Sequence, residues 1–228
     1  MEFCQTFPYA ITTSPSLALS LMEKLPAPLE HLRLSLQPPA LQDGQALESL
    51  TKAMVDSTAM RTLRISLNVL TSTEPTTITN LCYAVKSLPS FQALKLQLAK
   101  KEPWYSSSKS EAINQALVSL LTANQIRELS VDGFYLMDHD SFYSALAQNN
   151  TSLRVLDIPF FVNTDQKRNS LVTALQKNMT LESLPCWTFP YTDASSAFGK
   201  IWYWMMLNRL GRNKAFCNAT SKRDLVQL

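Results

Sequence analysis

Few side chains in this sequence could carry out acid–base or metal chemistry. The 228 residues include two histidines, His31 and His139, and histidine is the side chain whose ordinary pKa best suits a general base at neutral pH. His139 stands between Asp138 and Asp140, but adjacent residues on a helix do not face one another, and acidic residues are favoured where a helix begins. His31 is expected on a first strand and His139 on a fourth helix, too far apart for one site. We therefore expect no catalytic residue, no metal and no cofactor.

The cysteines and glycines also argue against an enzyme. The chain has no CxxC pair, and its four cysteines are far apart, at Cys4, Cys82, Cys186 and Cys217, so we expect reduced thiols and no zinc site. Cys82 is expected on the buried face of a helix, where a reactive thiolate is disfavoured. With four glycines, the chain has no GxxxxGK[ST] or GxGxxG phosphate loop and no GxSxG nucleophile motif. A hydrolase that uses aspartate or cysteine residues, for example Asp132 or Asp157, is the less favoured alternative.

Composition predicts one soluble domain with its own core, because 46% of the residues are hydrophobic and 17% are charged. The formal charge of +3 comes from dispersed residues, so we expect no nucleic-acid partner. Pro8 and Pro15 interrupt an N-terminus without a basic region, and the longest apolar run, Ile201 to Leu207, covers about a third of a membrane span. We therefore expect a cytoplasmic or nuclear protein without a membrane partner.

A strand-like leucine pattern recurs six times. Its intervals are 31, 31, 35, 27 and 28 residues, and the segments have apolar residues at the first, fourth and sixth positions, except for Pro185 and for Cys186 in place of a sixth-position leucine. Such near-regular succession predicts stacked repeats, because one unit of about 30 residues cannot bury its own apolar face. The segments are LEHLRLSL from Leu29, MRTLRISL from Met60, FQALKLQL from Phe91, IRELSVDG from Ile126, LRVLDIPF from Leu153 and LESLPCWT from Leu181.

Between these segments the apolar period changes from 2 to 3.6, which predicts amphipathic helices packed on the strands. Residues expected near the helix starts are Asp43, Thr76, Ser110, Asp140 and Asp165. Three asparagines that tolerate a left-handed cap conformation are expected at helix ends, namely Asn124, Asn149 and Asn178. Asn149 and Asn178 also lie in glycosylation-type sequons, as do Asn150 and Asn218, but we favour a structural role for the first three sequon asparagines over glycosylation.

The pattern LxxLxLxxNxL is matched by Met60, Leu63, Ile65, Asn68 and Leu70. On this motif the chain resembles leucine-rich-repeat proteins, and its full helices resemble the ribonuclease-inhibitor-like subclass over residues 29 to 190. The stretch IWYWMMLNRLGR is similar to the ending of diatom leucine-rich-repeat proteins. The resemblance implies an α/β solenoid, a horseshoe with parallel strands on its concave face and helices on its convex face. Elsewhere the motif's asparagine is replaced, so no continuous asparagine ladder is expected; the residues there are Gln37, Ala99, Phe134, Phe161 and Phe189.

We expect a single leucine-rich-repeat domain over residues 1–228, with an N-terminal cap over 1–28, about six repeats over 29–190 and a C-terminal helical cap over 191–228. In the last cap, a helical stripe is expected to end at Gly211. Because Trp202, Tyr203 and Trp204 are consecutive, at least one of these rings should lie near the surface. The predicted stripe consists of Phe198, Ile201, Trp202, Met205, Met206 and Leu210.

The third, fifth and seventh positions of each segment should line the concave face. The basic residues at these positions lie in the first three segments and the acidic residues in the next two, which predicts a bipolar surface that orients a partner. The alternative is that these charges are only solvated strand residues. The predicted partner-binding residues on this face are Arg33, Arg64, Lys95, Glu128, Asp132, Asp157 and Trp187.

The loop AKKEPWYSSSKSE carries Trp104 and Tyr105 among lysines and serines. Exposed aromatic rings on a loop are effective interface anchors, although these two rings could instead fold back over the solenoid edge. Together these features predict a non-catalytic interaction module that binds a protein or peptide. An adaptor or regulatory subunit is an alternative, such as a ubiquitin-ligase substrate receptor or a small-GTPase regulator, since relatives of this repeat type serve in those roles. No F-box-like segment precedes Leu29.

Overall fold

The computed structural model describes residues 9–24, 30–37, 40–41, 44–69, 73–86, 88–98, 107–123, 125–132, 139–148, 152–158, 164–184 and 196–211. In these residues strands and helices alternate along most of the chain. The elements are β1 (Tyr9–Thr12), α1 (Pro15–Lys24), β2 (His31–Leu36), α2 (Gly44–Asp56), β3 (Thr62–Val69), α3 (Pro75–Val85), β4 (Phe91–Leu98), α4 (Ser107–Thr122), β5 (Glu128–Asp132), α5 (His139–Gln148), β6 (Val155–Asp157), α6 (Asp165–Lys177) and α7 (Ala197–Arg209).

The six described strands form one parallel sheet whose strand order follows the chain, from β1 to β6. Each described helix from α2 to α7 packs against the helix before it in the chain. The predicted α/β fold is thereby confirmed, and the arrangement is consistent with an α/β solenoid. Because consecutive units are also neighbours in space, the face of the sheet changes stepwise along the sequence.

The pleat of the strands explains which residues are buried. In β2, Leu32, Leu34 and Leu36 are buried while Arg33 between them is exposed, as expected for side chains that alternate between two faces. The predicted helix stripes are buried on the same core, for example Ile78, Leu81 and Cys82 on one helix and Leu171, Ala174 and Leu175 on another.

Two helix starts show how the sequence sets the boundaries. Pro75 stands in the first turn of α3, where its missing N–H needs no partner. At α6, the Thr164 side chain caps the helix by accepting from the backbone N–H of Lys167 at 3.3 Å, so Asp165 begins the helix and Thr164 is its cap.

The strand predictions are correct for five of the six repeated segments, which coincide or overlap with β2 to β6. The sixth segment, from Leu181, contributes a single bridge between Ser183 and Val155, and residues 185–190 lie outside the described residues. At the other end the sheet has a strand that the repeat pattern did not predict, because β1 pairs in parallel with β2 through residues of YAIT that lack the leucine pattern.

The register follows the repeat positions except between β3 and β4. The repeat pattern places Leu94 beside Leu63, whereas the structure pairs Leu94 with Ile65. On β4, one extra residue lies between Phe91, which pairs with Leu63, and Ala93, which pairs with Arg64. A bulge of this kind changes which residues are neighbours across the strands. The net two-residue offset keeps every side chain on its predicted face, because the side-chain period of a strand is two.

The end of α6 differs from the prediction. Asn178 has φ −76° and ψ 127°, which is an extended conformation, so the predicted left-handed cap is wrong here. Its side chain is 1% exposed: Nδ2 donates to the Leu146 carbonyl at 2.9 Å, and Oδ1 accepts from the backbone N–H groups of Thr180 (2.9 Å) and Leu181 (2.8 Å). The side-chain amide thus satisfies a carbonyl at the end of α5 and two N–H groups of the segment that follows α6. Asn124 and Asn149 lie outside the described residues.

A second buried amide continues this connection. Asn208 on α7 donates through Nδ2 to the carbonyls of Asn178 at 3.1 Å and Leu181 at 2.9 Å. The two asparagines therefore join the ends of α5, α6 and α7 inside the last units. Buried backbone groups of this kind need such partners, since an unpaired one costs about 1–3 kcal/mol.

The helix α7 ends as predicted, with Gly211 at φ 87°, but its predicted stripe is partly wrong. Trp202 and Leu210 are exposed, and Asn208 takes a buried position beside Ile201 and Met205. Tyr203 is exposed as well, which confirms that at least one of the three consecutive rings lies at the surface. Among the described residues, no helix combines the length and apolar character needed to cross a membrane.

Replacing Asn178 with alanine should lower the free energy of unfolding by about 3 kcal/mol, because the Leu146 carbonyl and the N–H groups of Thr180 and Leu181 lose their partner inside the core. Urea unfolding followed by circular dichroism measures the change. The control is Asn169→Ala on the exposed side of the same helix, and its free energy of unfolding should lie within about 0.5 kcal/mol of the wild-type value. Equal midpoints for the two variants would contradict the role given to Asn178.

Candidate partner-binding face

One side of the sheet is open to solvent and is called the open face here. It consists of the strand residues that alternate with the buried leucines. Arg33, Arg64, Lys95, Gln97 and Asp132 are exposed on it, and the other residues of this face are partly exposed. The open face consists of His31, Arg33, Ser35, Thr62, Arg64, Ser66, Asn68, Ala93, Lys95, Gln97, Glu128, Ser130, Asp132, Val155 and Asp157.

A shallow depression of about 200 Å³ lies on the open face. The residues that line it include the basic Arg33, Arg64 and Lys95, the acidic Glu128 and Asp157, and the small Ser66, Ala93 and Ser130. The depression therefore lies where the basic and acidic parts of the sheet meet.

Arg64 and Glu128 form a two-point ion pair across the centre of the depression. Arg64 Nη2 lies 3.1 Å from Glu128 Oε1, and Arg64 Nη1 donates to Oε2 at 3.1 Å. The strand between them contributes Ala93, which is in register with both residues, and its small side chain leaves room for the pair to pass over it. The two side chains are 48% and 43% exposed, so the pair is only partly shielded from water.

The β3/β4 register makes this pair possible. With the repeat positions aligned, Arg64 would lie beside Lys95, a residue of like charge. The observed offset places Arg64 beside Ala93 and Lys95 beside Ser66, so Arg64 and Glu128 share one row of the sheet. Opposite charges on neighbouring strands attract and like charges repel. The observed register therefore replaces a repulsion between Arg64 and Lys95 with an attraction between Arg64 and Glu128.

The remaining charges of the open face are less engaged. Arg33 and Lys95 are exposed and form no ion pair with the described part of the chain, and the same is true of Asp132 on the acidic side. Asp157 accepts a hydrogen bond from the Ser130 hydroxyl at 3.2 Å. The face therefore keeps cations on one side and carboxylates on the other that are available to a partner.

Polar side chains continue the face beyond the depression. On one side, His31 Nδ1 and Thr62 Oγ1 are 2.7 Å apart. On the other side, Asn68 Nδ2 donates to Gln37 Oε1 at 3.0 Å. Asn68, the asparagine of the leucine-rich-repeat motif, thus bonds to the residue at the equivalent position of the preceding segment. The face is polar along its length, as expected for a surface and not for a core.

The structure brings together five of the nine predicted binding residues, because Arg33, Arg64, Lys95, Glu128 and Asp157 line one depression. Asp132 lies on the same face but does not line it. Trp104, Tyr105 and Trp187 lie outside the described residues. The third-, fifth- and seventh-position rule placed Ser66, Ala93 and Ser130 on the concave face but did not single them out as binding residues. The observed β3/β4 register adds that Ala93 lies beside Arg64 and Ser66 beside Lys95.

A catalytic alternative finds little support in the described residues. Cys82 is buried, and burial raises the pKa of its thiol from 9.0 to about 12, so the reactive thiolate is scarce at neutral pH. Within the described ranges, no three residues among histidine, cysteine, aspartate and glutamate cluster as metal ligands. The pair Asp138 and His139 that could suggest a metal has no described side chain.

Comparison with known proteins does not assign this chain to a family. Neither the protein-family models nor the curated proteins match this chain.

The Arg64–Glu128 pair should contribute about 0.5 kcal/mol to stability, because it is half exposed and screened by solvent. A double-mutant cycle with Arg64→Gln, Glu128→Gln and the combined variant, unfolded by urea, measures the coupling between the two side chains. High salt should reduce that coupling. A coupling above about 2 kcal/mol, or one insensitive to salt, would contradict a solvent-screened pair.

Cys82 should be protected from thiol reagents in the folded protein. In a variant with Cys4, Cys186 and Cys217 replaced by serine, an aromatic disulfide reagent at mildly alkaline pH should react at a negligible rate before unfolding and completely in concentrated urea, because burial disfavours the thiolate. Rapid labelling of the folded protein would instead support an accessible cysteine and revive a cysteine-dependent hydrolase. Circular dichroism of the variant verifies that the unlabelled state is folded.

Proposed function

We propose that the chain is a leucine-rich-repeat solenoid of the ribonuclease-inhibitor type, with the open face as the concave side of a short horseshoe. The proposal is supported by the order of the strands, by the alternation of strand and helix, and by the recurrence of buried leucines in register, such as Leu32 beside Leu63. Stacked units that contact only their neighbours are typical of solenoids.

We further propose that the protein is a non-catalytic interaction module that binds a protein or peptide on the open face. One observation carries this proposal: the depression on that face is lined by charged side chains that form no ion pair with the described chain, namely the cations Arg33 and Lys95 on one side and the carboxylate Asp157 on the other. Charges of both signs on a rigid sheet orient a partner of complementary charge.

The dimensions of the depression favour a macromolecular partner over a small ligand. Pockets for small molecules usually enclose about 300–1,000 Å³, whereas this depression is about 200 Å³ and shallow, with charged side chains among its lining residues. Nucleic acid is disfavoured because carboxylates such as Glu128 and Asp157 share the surface with the cations and would repel phosphate. A segment of another protein fits a surface of this size and polarity.

The experiment is an affinity capture from native lysate, with bound proteins quantified by mass spectrometry. Reversing two exposed cations, with Arg33→Glu and Lys95→Glu, should reduce capture of the specific partner by at least about tenfold, because like charges then face each other in the complex. Arg64 is kept because its reversal would also break the pair with Glu128. Ser66→Trp, which fills the depression without changing charge, should have a similar effect.

The matched control is Lys52→Glu with Lys177→Glu, which changes net charge by the same amount on exposed helix positions away from the sheet. This variant should capture the same proteins as wild type. If the open-face variants fold, as judged by circular dichroism, and still capture those proteins undiminished, the open face does not bind them and the proposal fails.

A further inference from the structure

Resting on the proposed function, the geometry points to a more specific partner. We infer that the open face binds an extended peptide segment that crosses the strands and carries one acidic and one basic side chain about four residues apart. The acidic side chain would lie over Ser66 and the basic side chain over Ser130 and its neighbours. The observations behind this inference are the positions of the available charges in the sheet register.

The acidic side chain has a defined subsite. Arg33 lies on β2 and Lys95 on β4, on opposite sides of Ser66 in β3, and Lys95 is in register with Ser66. From strand spacing and rise, the Cα atoms of Arg33 and Lys95 are about 12 Å apart, a distance that two long side chains can close around one carboxylate. Neither cation is engaged by the described chain, and the Ser66 hydroxyl between them can donate to the same carboxylate.

The basic side chain has a matching subsite on the other side. Asp157 on β6 is in register with Ser130, and Asp132 follows two residues after Ser130 on β5. The Cα atoms of the two aspartates are about 8 Å apart by the same spacings. Asp157 keeps acceptor capacity beyond its hydrogen bond from Ser130, and Asp132 is exposed without an ion pair in the described part of the chain.

The Arg64–Glu128 pair lies in the row next to the two subsites, two residues along the strands from Ser66 and Ser130. Because each member neutralises the other, neither competes for the partner's charges, and Arg33 and Lys95 remain available around Ser66, as do Asp132 and Asp157 around Ser130. The partner segment would lie along the row that runs from Ser66 through Lys95 and Ser130 to Asp157. That row crosses the strands, so the segment need not add a strand to the sheet.

The separation of the subsites sets the spacing of the partner's charges. The centre of the acidic-side-chain subsite on β3 and that of the basic-side-chain subsite between β5 and β6 are two and a half strand spacings apart, about 12 Å. An extended chain rises about 3.3 Å per residue and alternates its side chains, so positions i and i+4 both reach this distance and share a face. Positions i+3 and i+5 would direct the second side chain away from the sheet.

The test is selection of a random peptide library, displayed on phage, against the full chain and against two folded variants. Wild type should enrich peptides with an acidic and a basic residue at i and i+4, in either order along the peptide. With Arg33→Glu and Lys95→Glu, the selected peptides should carry basic residues at both i and i+4. With Asp132→Lys and Asp157→Lys, they should carry acidic residues at both positions. A change of preference in both directions cannot come from a variant that simply binds less.

The selected wild-type peptide is then compared with a peptide of the same composition that has its charges at i and i+5, using fluorescence anisotropy. We expect the shifted peptide to bind at least tenfold more weakly. Binding of both peptides with equal affinity, or selection without enrichment of the i and i+4 spacing, overturns the inference. If the selected peptides bind the Ser66→Trp variant more weakly than they bind wild type, the proposed function stands and only the inferred charge spacing is wrong. If no peptide is enriched, or if Ser66→Trp has no effect, the proposed function fails as well.

Discussion

The parallel register between successive strands is the constraint on which the rest of the structure depends. A single strand and helix cannot cover their own apolar surfaces, so each unit is stable only against the next. Leu34 beside Ile65 and Leu96 beside Val131 illustrate the result, since all four side chains are buried in adjacent strands. The same register also decides which side chains meet on the opposite, solvent-facing side of the sheet. Core stacking therefore sets the arrangement of the charged face.

The register between β3 and β4 shows what the sequence could and could not predict. Alternation of apolar and polar residues correctly predicted that Arg64, Lys95 and Glu128 share a face, because that prediction requires only the period of a strand. It could not predict the row that each occupies. A two-residue offset leaves the same side chains buried, so the hydrophobic pattern has the same appearance in either register. The Arg64–Glu128 pair, and the place of Ser66 beside Lys95, follow from the offset, whereas the place of Ser130 between Lys95 and Asp157 follows from the repeat register.

The ends of the array were harder to predict for a related reason. β1 pairs with β2 along four residues. Its apolar Ile11 is exposed and its polar Thr12 is buried, which is the opposite of the burial that an apolar–polar strand pattern predicts. On α7, helical periodicity placed Trp202 and Leu210 inside, whereas Asn208 occupies the core because its amide serves carbonyls of the neighbouring unit. In interior units apolar burial dominates, and the pattern is reliable. At the C-terminal end hydrogen-bond satisfaction also selects the buried residue, and polarity alone misleads.

The central ion pair also affects whether the available cations and carboxylates of the open face can remain unpaired in the free protein. If the available cations and carboxylates attracted one another directly, the face would neutralise itself and attract no partner. The centres of the two subsites are about 12 Å apart, and the Cα atoms of the nearest available opposite charges, Lys95 and Asp132, are about 8 Å apart, about one screening length at physiological ionic strength. Arg64 and Glu128 lie in the neighbouring row and are paired at 3.1 Å, so neither draws Lys95 or Asp157 out of its subsite. A bipolar face therefore persists in the free protein, and its attraction for a partner should weaken as salt rises.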